Sequence, residues 1–382
     1  MDTTGIICEY NPLHLGHKKQ FDRIKATHPD TGIVCLMSGN YVQRGHPAIM
    51  DKSLRAKAAV LSGADLVLEL PITASLSSAE GFAAEGVRIL GGFCNRLCFG
   101  AESAGKEALL TTARALLSPA FPEKLRAELD KGVSFPAARQ AALNAMGVQD
   151  DTLSLPNNIL ATEYCKAILQ QGSSMEPMPI VREGNYHDIG IDPQNPSATA
   201  LRACMAESKD WLQFVPEAAR TIFSNSALHT LSAGEQAILY RLRTMTDGEF
   251  EALPFGSEGL WRKLMHNARK FATLEEIITT TKSKRYTRTR LDRMVMCAFL
   301  GITRADLCSP APYARVLALN DKGREILKSA RQTGLFPNAG ETVDAPYQEL
   351  ENRAGKLYSL FSGTQELPFD EGERRIFYHT GD

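Results

Sequence analysis

Two histidines and a glycine lie in a short turn near the start of the chain, where they could bind a phosphate group. The turn belongs to the segment Glu9-Tyr10-Asn11-Pro12-Leu13-His14-Leu15-Gly16-His17, which follows an apolar run at residues 6–8 and precedes a helical pattern. Gly16 allows the backbone to approach a ligand closely, and the helix N-terminus offers N–H groups and partial positive charge. The imidazoles of His14 and His17 can donate hydrogen bonds to phosphate oxygens, which suits phosphoryl or nucleotidyl transfer.

A second polar segment follows the next apolar run of the chain. Residues 37–48 are rich in polar side chains and punctuated by glycines, as binding loops often are. Asn40, Gln43 and Arg44 could hold a small carboxylate or a phosphate there, because an arginine fork suits either anion. A solvated loop is the alternative interpretation. Three basic residues follow on a predicted helix and either extend the positive field or lie on a solvated face: Lys52, Arg55 and Lys57.

Three later segments also end a strand or begin a helix with polar residues. Asn157 lies at the start of a predicted helix, where its amide could form hydrogen bonds with an adenine or a ribose. Arg182 follows the apolar strand at residues 177–181. Ser197 and Thr199 begin another helix and could cradle phosphate oxygens. Each feature alone is more typical of a helix cap or a surface position, so their recurrence at one edge of a sheet is what favours a site.

The elements that must position these segments alternate between strand and helix over the first hundred residues. Continuous apolar strands that alternate with helices predict a parallel sheet covered on both faces. Ligands bind beyond the carboxyl ends of the strands in such a sheet, and the polar segments lie there. Strands are predicted at residues 6–8, 32–37, 66–70, 96–100 and 177–181, and helices at residues 16–26, 51–61 and 78–90.

The chain has 382 residues, which is enough for two domains. Residues 1–205 form the predicted α/β domain, and residues 206–382, where strand signals are scarce, form a mainly α-helical domain. The 43 Lys and Arg residues balance the 44 Asp and Glu residues, and no apolar run reaches the about 18 residues of a membrane span. The eight Cys residues are scattered without zinc spacing. We therefore expect reduced thiols, no metal site, no membrane contact and a cytoplasmic protein.

Three common catalytic or nucleotide-binding motifs are absent from the sequence. There is no Gly-x-x-x-x-Gly-Lys-Ser/Thr loop, which excludes a P-loop protein. There is no Gly-x-Gly-x-x-Gly after the first strand, which argues against a dinucleotide oxidoreductase. A Gly-x-Ser-x-Gly nucleophile elbow is also missing.

The basic residues concentrate in the second predicted domain. Residues 260–293 hold ten Lys or Arg residues against three Asp or Glu residues, a surplus that can neutralise several nucleic-acid phosphates. Tyr286 lies within this stretch and could stack on an unpaired base. The alternative is a solvated helical face paired with acidic neighbours. The candidate nucleic-acid-binding residues are Lys282, Lys284, Arg285, Tyr286, Arg288 and Arg290.

Taken together, these segments resemble the bacterial tRNA(Met) cytidine acetate ligases, a family within the superfamily of HIGH-type nucleotidyltransferases. The resemblance spans most of the chain and is specific as a combination, although no single segment is. Leu13 departs from it, because a Phe is expected at that position, but the change is conservative. The matching segments are residues 5–17, 37–51, 63–71, 99–102, 156–160, 186–188, 197–199, 282–287 and 315–317.

The resemblance implies ATP-dependent acetylation of the wobble cytidine in elongator tRNA(Met). Acetate and ATP would form acetyl-adenylate and pyrophosphate, and the cytidine amine would then take the acetyl group to give N(4)-acetylcytidine. The first domain would be a Rossmann-like parallel-sheet nucleotidyltransferase domain that binds ATP and acetate, and the helical second domain would bind tRNA. ATP is the expected cofactor, with Mg²⁺ as an optional counter-ion, and no protein partner is implied.

The resemblance also implies an ATP site, to which the residues themselves add two roles. His14 and His17 are the candidate catalytic residues, because they could stabilise charge at the α-phosphate. The candidate acetate or phosphate pocket consists of Asn40, Gln43, Arg44, Ser197 and Thr199. The residues that carry over to ATP binding are Ile7, Cys8, Glu9, Tyr10, Asn11, Pro12, Leu13, His14, Leu15, Gly16, His17, Lys18, Lys19, Gln20, Gly100, Asn157 and Arg182.

Two other functions stay open from the sequence. A nucleotidyltransferase that adenylylates or cytidylylates a small molecule needs the same histidine turn but no basic second domain, and indifference to tRNA would favour it. A non-catalytic tRNA- or ribosome-binding protein on the same fold would fail to bind ATP. The intact turn with His14 and His17 argues against the non-catalytic protein.

Overall fold

Among the residues that the structure describes, a seven-stranded sheet forms the centre of the protein, and a two-stranded hairpin is separate from it. The structure is a computed structural model that describes residues 1–102, 105–148, 152–181, 192, 195–283, 285–337 and 344–381. The strands are β1 (Thr3–Cys8), β2 (Gly32–Ser38), β3 (Tyr41–Val42), β4 (His46–Pro47), β5 (Leu66–Leu70), β6 (Arg96–Ala101), β7 (Glu176–Val181), β8 (Val316–Asn320) and β9 (Phe377–His379).

Helices connect the strands and account for most of the regular structure described after β7. None of the helices in the described part of the chain is long and apolar enough to cross a membrane. The helices are α1 (Leu15–Thr27), α2 (Lys52–Leu61), α3 (Ile72–Ser75), α4 (Ala79–Leu90), α5 (Lys106–Leu117), α6 (Phe121–Leu129), α7 (Phe135–Asn144), α8 (Pro156–Gln170), α9 (Ala198–Ala206), α10 (Glu217–Ser224), α11 (Glu235–Thr244), α12 (Asp247–Glu251), α13 (Leu260–Lys270), α14 (Leu274–Thr281), α15 (Arg288–Leu300), α16 (Arg304–Cys308), α17 (Asp321–Ala330) and α18 (Ala345–Tyr358).

The strand order of the large sheet is β7-β6-β1-β2-β5-β8-β9. The first five of these strands are parallel, whereas β8 is antiparallel to β5 and parallel to β9. From β1 the chain adds β2 and β5 on one side and then returns to add β6 and β7 on the other. The order therefore reverses between β1 and β6, and open α/β sheets bind ligands at such a switch point, beyond the carboxyl ends of the strands.

Helices cover both faces of this sheet, because successive strand residues point to opposite faces and both sets are apolar. Ile7 and Val34 belong to the core that the sheet forms with α4, α5 and α8. Ile6 and Ile33 belong to the core on the other face, with α1, α2 and α10. The parallel α/β fold predicted from the sequence is confirmed.

The C-terminal part of the chain contributes both a helical core and the last two strands of the sheet. Helices α11, α13, α14, α15 and α18 share one apolar core, which also takes in Tyr41 of the hairpin and Ile72 of α3. The five strands predicted from the sequence are present, but β8 and β9 of the large sheet were not predicted, nor were the short hairpin strands β3 and β4. The boundary near residue 206 stays a prediction. Strands β8 and β9 lie in the part of the chain that was predicted to be mainly α-helical, and they join the large sheet.

The side chain of Arg55 on α2 is completely buried beneath the carboxyl ends of β1 and β2. Its Nη1 donates to the carbonyl oxygens of Glu9 at 2.6 Å and Ser38 at 3.1 Å. Its Nη2 donates to the Gly39 carbonyl and its Nε to the Met50 carbonyl. One guanidinium group therefore holds together the two loops that follow β1 and β2. Both sequence-based alternatives for Arg55, a solvated face and an extension of the positive field, are wrong, because the side chain is buried.

Lys52 is also buried, in an ionic cluster that joins α2 to the C-terminal segment of the chain. Its Nζ lies 2.6 Å from a carboxylate oxygen of Glu69 and 2.8 Å from one of Glu371. Arg374 bonds Asp51, the N-cap of α2, at 2.8 Å. Although burial opposes ionisation, Lys52 and Arg374 keep the pKa of Glu371 below its usual value, so the cluster stays charged.

We predict that Arg55→Met lowers the free energy of unfolding by about 3 kcal/mol or more, because four carbonyl oxygens lose their donor, three of them in buried hydrogen bonds. Urea denaturation of the variant and the wild type measures the difference. Arg114→Met, at an exposed position of α5, is the matched control and should change stability by less than about 0.5 kcal/mol. Equal unfolding midpoints for Arg55→Met and the control would contradict the role of Arg55.

Candidate active site

A cavity of about 440 Å³ opens at the switch point between β1 and β6. Its lining comes from the ends of β1, β6 and β7, from α1, α8 and α9, and from the hairpin loop. Its volume lies in the range of small-molecule sites. The predicted site residues that line it are Ile7, Cys8, Glu9, Tyr10, Asn11, His14, Gly16, His17, Lys19, Gln20, Gln43, Arg44, Gly100 and Asn157.

Other predicted ATP-site residues do not line this cavity. Pro12, Leu13 and Leu15 belong to the same turn, and Lys18 lies on α1, where it pairs with Asp22. Arg182 lies outside the described residues, as do residues 186–188 of the matching segments.

Three residues of the predicted acetate pocket have structural partners. Asn40 is buried. Its Oδ1 accepts from the main-chain N–H of Lys52 at 2.8 Å, and its Nδ2 donates to the Asp51 carboxylate at 3.1 Å. Ser197 caps α9 through a hydrogen bond from the Ala200 N–H, and Thr199 accepts from Arg202. Of the predicted acetate pocket, the structure thus brings Gln43 and Arg44 to the cavity, and the roles of the other three residues stay predictions.

His14 and His17 close the first turn of α1 on each other. His14 Nδ1 accepts a hydrogen bond from the Gly16 N–H at 3.1 Å, and His17 Nδ1 accepts from the His14 N–H at 3.2 Å. The two rings stack with centroids 3.7 Å apart. A Cβ at Gly16 would lie 2.9 Å from His14 Cε1, so the glycine allows this ring to pack against the helix.

These hydrogen bonds determine where each imidazole carries its proton. Because both Nδ1 atoms accept, a neutral ring at either position is protonated on Nε2. The group that each ring can offer to a ligand is therefore an N–H donor. Two such donors at the N-terminus of α1 suit an anion that gains charge during a reaction.

The lining of the cavity is rich in cationic side chains. Lys19, Arg23, Arg44 and Arg202 line it, whereas Glu9 is the one carboxylate among the described lining residues. Arg23 donates to the Val181 carbonyl at 2.9 Å, and Arg202 donates to the Asn11 carbonyl at 2.6 Å. Main-chain carbonyls thus hold two guanidinium groups at the cavity, which favours a multiply charged anion.

One wall of the cavity is apolar and partly aromatic. Phe82, Phe99, Leu160 and Tyr164 line it. The rings of Phe99 and Tyr164 lie 5.4 Å apart between centroids. A planar base could pack on such a wall, so the cavity offers surfaces for both the charged and the apolar part of a nucleotide.

Cys8 lines the cavity but is not an activated nucleophile. Burial, reinforced by the neighbouring Cys35 thiol, raises the pKa of Cys8 well above its usual value. The thiol is therefore protonated at neutral pH, and a protonated thiol attacks poorly. Among the described residues, no group of three or more His, Cys, Asp or Glu side chains is placed to hold a metal ion.

The hairpin that carries Gln43 and Arg44 is hydrogen-bonded to the loop after β1 and to the segment between α3 and α4. The Gln43 N–H donates to the Glu9 carboxylate at 2.7 Å, and its Nε2 donates to the Ser77 carbonyl at 3.3 Å. Gly45 follows with a φ of 81°, and a Cβ there would lie 2.4 Å from the main-chain nitrogen of Arg293 on α15. The hairpin therefore contacts the backbone of α15 directly.

The predicted nucleic-acid-binding residues lie near α15, and several are paired with carboxylates. Arg288 makes a two-pronged contact with Glu275 at 2.6 and 2.7 Å. Arg285 bonds Glu258 at 2.7 Å, and the Tyr286 hydroxyl bonds the same carboxylate. Both contacts agree with the alternative interpretation of this stretch, a helical face paired with acidic neighbours, and Glu258 lies just before residues 260–293.

The remaining members of this set differ in exposure and partners. Arg290 donates to the Phe255 carbonyl at 2.9 and 2.7 Å. Lys282 is exposed at the end of α14, and Lys284 lies outside the described residues. Binding of nucleic acid by this surface stays a prediction.

Two cationic lining residues were not among the predicted site residues. Arg23 lies on the same face of α1 as Gly16 and Gln20, at spacings of seven and three residues, so helical periodicity could have identified it. Arg202 lies one helical turn after Thr199 on α9. The hydroxyl residues Ser197 and Thr199 at the start of this helix could have indicated it from the sequence.

Comparison with known proteins identifies relatives along the whole chain. Residues 1–370 match the family HIGH Nucleotidyl Transferase. A tRNA(Met) cytidine acetate ligase of Clostridium novyi (strain NT) is 39% identical over 357 residues, which cover 88% of this chain and 89% of the relative. A protein of the same name from Clostridium acetobutylicum is 35% identical over 402 residues, covering 98% of this chain and 99% of that protein.

Two solved structures resemble this one closely. The apo crystal structure of Thermotoga maritima TmcAL superimposes with a TM-score of 0.91 at 28% sequence identity and covers 100% of both chains. A second form of that protein, bound with alpha-thio ATP, superimposes with a TM-score of 0.87 at 28% identity, covering 99% of this chain and 100% of that chain.

We predict that His14→Ala lowers the free energy of unfolding by about 1 kcal/mol, because the Gly16 N–H loses its cap, whereas His14→Asn keeps an accepting side chain and loses less. Urea denaturation compares the two variants. The exposed His266 on α13 supplies the control His266→Ala, with an expected change below about 0.5 kcal/mol. If the Asn variant is as unstable as the Ala variant, the capping role is wrong.

Proposed function

This chain belongs to the HIGH nucleotidyl transferase family, and we propose that it is an ATP-dependent ligase that acetylates the wobble cytidine of elongator tRNA(Met). The observation that carries the proposal is the paired His14 and His17 at the N-terminus of α1, in a cavity lined by four cationic side chains. Relatives covering nearly the whole chain are named tRNA(Met) cytidine acetate ligase, and one similar protein was solved with alpha-thio ATP. The proposed product is N(4)-acetylcytidine.

In the first half-reaction, an oxygen of acetate attacks the α-phosphorus of ATP. The bond between the α-phosphorus and the bridging oxygen breaks, so pyrophosphate leaves and acetyl-adenylate forms. Negative charge rises on the phosphate oxygens during this displacement, and the Nε2–H groups of His14 and His17 would donate to them. No covalent bond to the protein is needed, which agrees with the protonated state of Cys8.

In the second half-reaction, the exocyclic amine of cytidine attacks the acetyl carbonyl carbon. The amine loses a proton, AMP leaves, and the acetyl group ends on N4. A wobble base lies in a loop, so it can be presented unpaired at a small energetic cost.

The cavity suggests how the two small substrates would be arranged. The triphosphate would lie against the N-terminus of α1 with Lys19, Arg23 and Arg202, and the adenine against the wall that contains Phe99 and Tyr164. Acetate would bind near Arg44 of the hairpin, because a guanidinium group suits a carboxylate. Asn40 would act indirectly by holding the hairpin, given its buried bonds to Asp51 and Lys52.

A divalent cation enters this proposal only with the nucleotide. Glu9, the carboxylate among the described lining residues, already accepts from the Gln43 N–H. Mg²⁺ would therefore be held by phosphate oxygens and water as the counter-ion of ATP. We propose a cytoplasmic protein, since both ATP and tRNA are found there.

The tRNA would bind on the second part of the chain, with residues 1–205 supplying the nucleotide site and residues 206–382 supplying the basic surface. Lys282 and Arg285 are exposed there, and exposed ion pairs such as that of Arg285 with Glu258 contribute little stability. A phosphate could therefore replace Glu258 as the partner of Arg285.

The test is to incubate the protein with ATP, labelled acetate and bulk bacterial tRNA that lacks the modification, and to digest the tRNA to nucleosides. We expect label in N(4)-acetylcytidine. Acetate-dependent release of pyrophosphate without label in tRNA would keep the adenylation step and overturn the acceptor. Absence of both signals would favour transfer to a small molecule instead.

The histidine variants serve as internal controls for this assay. His14→Asn and His17→Ala should each lower acetate-dependent pyrophosphate release by about two to three orders of magnitude, as loss of one charge-stabilising donor does. His266→Ala should leave the rate unchanged. Unaltered rates in both site variants would remove His14 and His17 from the mechanism.

We predict that Arg285→Ala weakens tRNA binding and reduces the slope of log affinity against log salt by about 1, because one phosphate contact is lost. Filter binding at several salt concentrations measures the slope. Arg126→Ala, at an exposed position of α6, is the matched control. An unchanged slope in Arg285→Ala would place the tRNA elsewhere on the protein.

A further inference from the structure

A carboxylate beside the cavity holds one of the residues that line it. Glu102 lies immediately after β6, and its Oε1 accepts from Asn157 Nδ2 at 2.9 Å. Its Oε2 accepts from the main-chain N–H of Asn157 at 3.2 Å. In return, the Glu102 N–H donates to Asn158 Oδ1 at 2.8 Å. Three hydrogen bonds thus join the end of β6 to the first turn of α8.

This contact determines the orientation of the Asn157 amide. An ionised carboxylate only accepts hydrogen bonds, so the NH₂ group of Asn157 must face Glu102. The same carboxylate satisfies a main-chain N–H in the first turn of α8, and a negative charge is favourable there. Asn157 lines the cavity together with Gly100 and Leu160, whereas Glu102 does not.

We propose that Glu102 is a positioning residue that sets nucleotide selectivity through Asn157. Because Glu102 holds the NH₂ group, Asn157 Oδ1 is the atom that faces the nucleotide. A carbonyl oxygen accepts hydrogen bonds, so it selects a nucleotide that has a hydrogen-bond donor at this position. The donor is a hydroxyl of the ribose or the 6-amino group of adenine. This inference rests on the proposed function, since it requires a nucleotide in the cavity.

Substitution by glutamine removes this constraint without changing the size of the side chain. In the wild type, Oε1 and Oε2 each accept one of the two donors, Asn157 Nδ2 and the main-chain N–H. The amide of Glu102→Gln keeps one accepting oxygen and places an NH₂ group where the other oxygen was, so it cannot keep both contacts in this geometry. Its NH₂ group can instead donate to Asn157 Oδ1, which turns the Asn157 NH₂ toward the ligand. The variant therefore loses the preference for a donor on the nucleotide.

The experiment measures acetate-dependent pyrophosphate release and, by calorimetry, the Kd of the full-length protein for ATP, 2′-deoxy-ATP, 3′-deoxy-ATP and purine riboside triphosphate. The wild type should disfavour one of these analogues by about tenfold or more, as expected for one lost hydrogen bond. That analogue identifies the donor. Glu102→Gln should raise the KM for ATP by about tenfold with little change in kcat. It should also bring the Kd for that analogue close to the Kd for ATP.

Two variants separate positioning from a general loss of structure. Glu107→Gln, at an exposed position of α5, should leave KM, kcat and the Kd values unchanged. Asn157→Ala should abolish the same preference, and adding Glu102→Gln to it should have no further effect on selectivity, because both act through one amide. A preference that persists in Asn157→Ala and is then altered by adding Glu102→Gln would overturn the inference.

The outcomes distinguish the inference from the proposed function. If the wild type releases pyrophosphate but Glu102→Gln keeps the KM and selectivity of the wild type, the inference is wrong and the function stands. If no pyrophosphate is released, the function is wrong, and the Kd values alone decide whether Glu102 controls selectivity. Failure of the wild type to bind ATP, or equal binding of all four nucleotides, would overturn the inference.

Discussion

The site depends on one buried cation, the guanidinium group of Arg55. The loops after β1 and β2 direct main-chain carbonyls toward the interior around Arg55, and each such group needs a donor. Arg55 supplies donors to Glu9, Ser38 and Gly39 at once. Because an arginine fork is rigid and keeps its charge, the distance between these two loops is constrained, and with it the separation of the histidine turn from the hairpin.

The position of Arg55 depends in turn on the last part of the chain. Asp51 caps α2, and Arg374 and Glu371 bond Asp51 and Lys52 there. A buried ionic cluster is costly when one partner is missing, because the remaining charges are left desolvated. The C-terminal segment is therefore part of the support of the cavity, although β9 lies more than three hundred residues from β1 in sequence.

Sequence patterns predicted the parts of this structure whose causes are local. The strands β1, β2, β5, β6 and β7 are continuous apolar runs, and Asp51, Ser78 and Ser197 are helix caps that short segments reveal. The pairing of β8 with β5 could not be predicted, because it joins residues about 250 apart, and β9 is too short to carry a period. Burial of Asn40 and Arg55 likewise depends on tertiary contacts, since both residue types are usually exposed.

The hairpin shows why the cavity and the C-terminal helices cannot be treated as independent units. It carries Gln43 and Arg44 into the cavity, while its Tyr41 belongs to the apolar core of the C-terminal helices. Gly45 approaches the backbone of α15 so closely that a Cβ would overlap it, and His46 Nε2 lies 3.5 Å from the buried carboxylate of Asp292. Packed interfaces of this kind shift between discrete arrangements rather than deform gradually. A displacement of α15 would therefore have to move the hairpin, and with it one wall of the cavity.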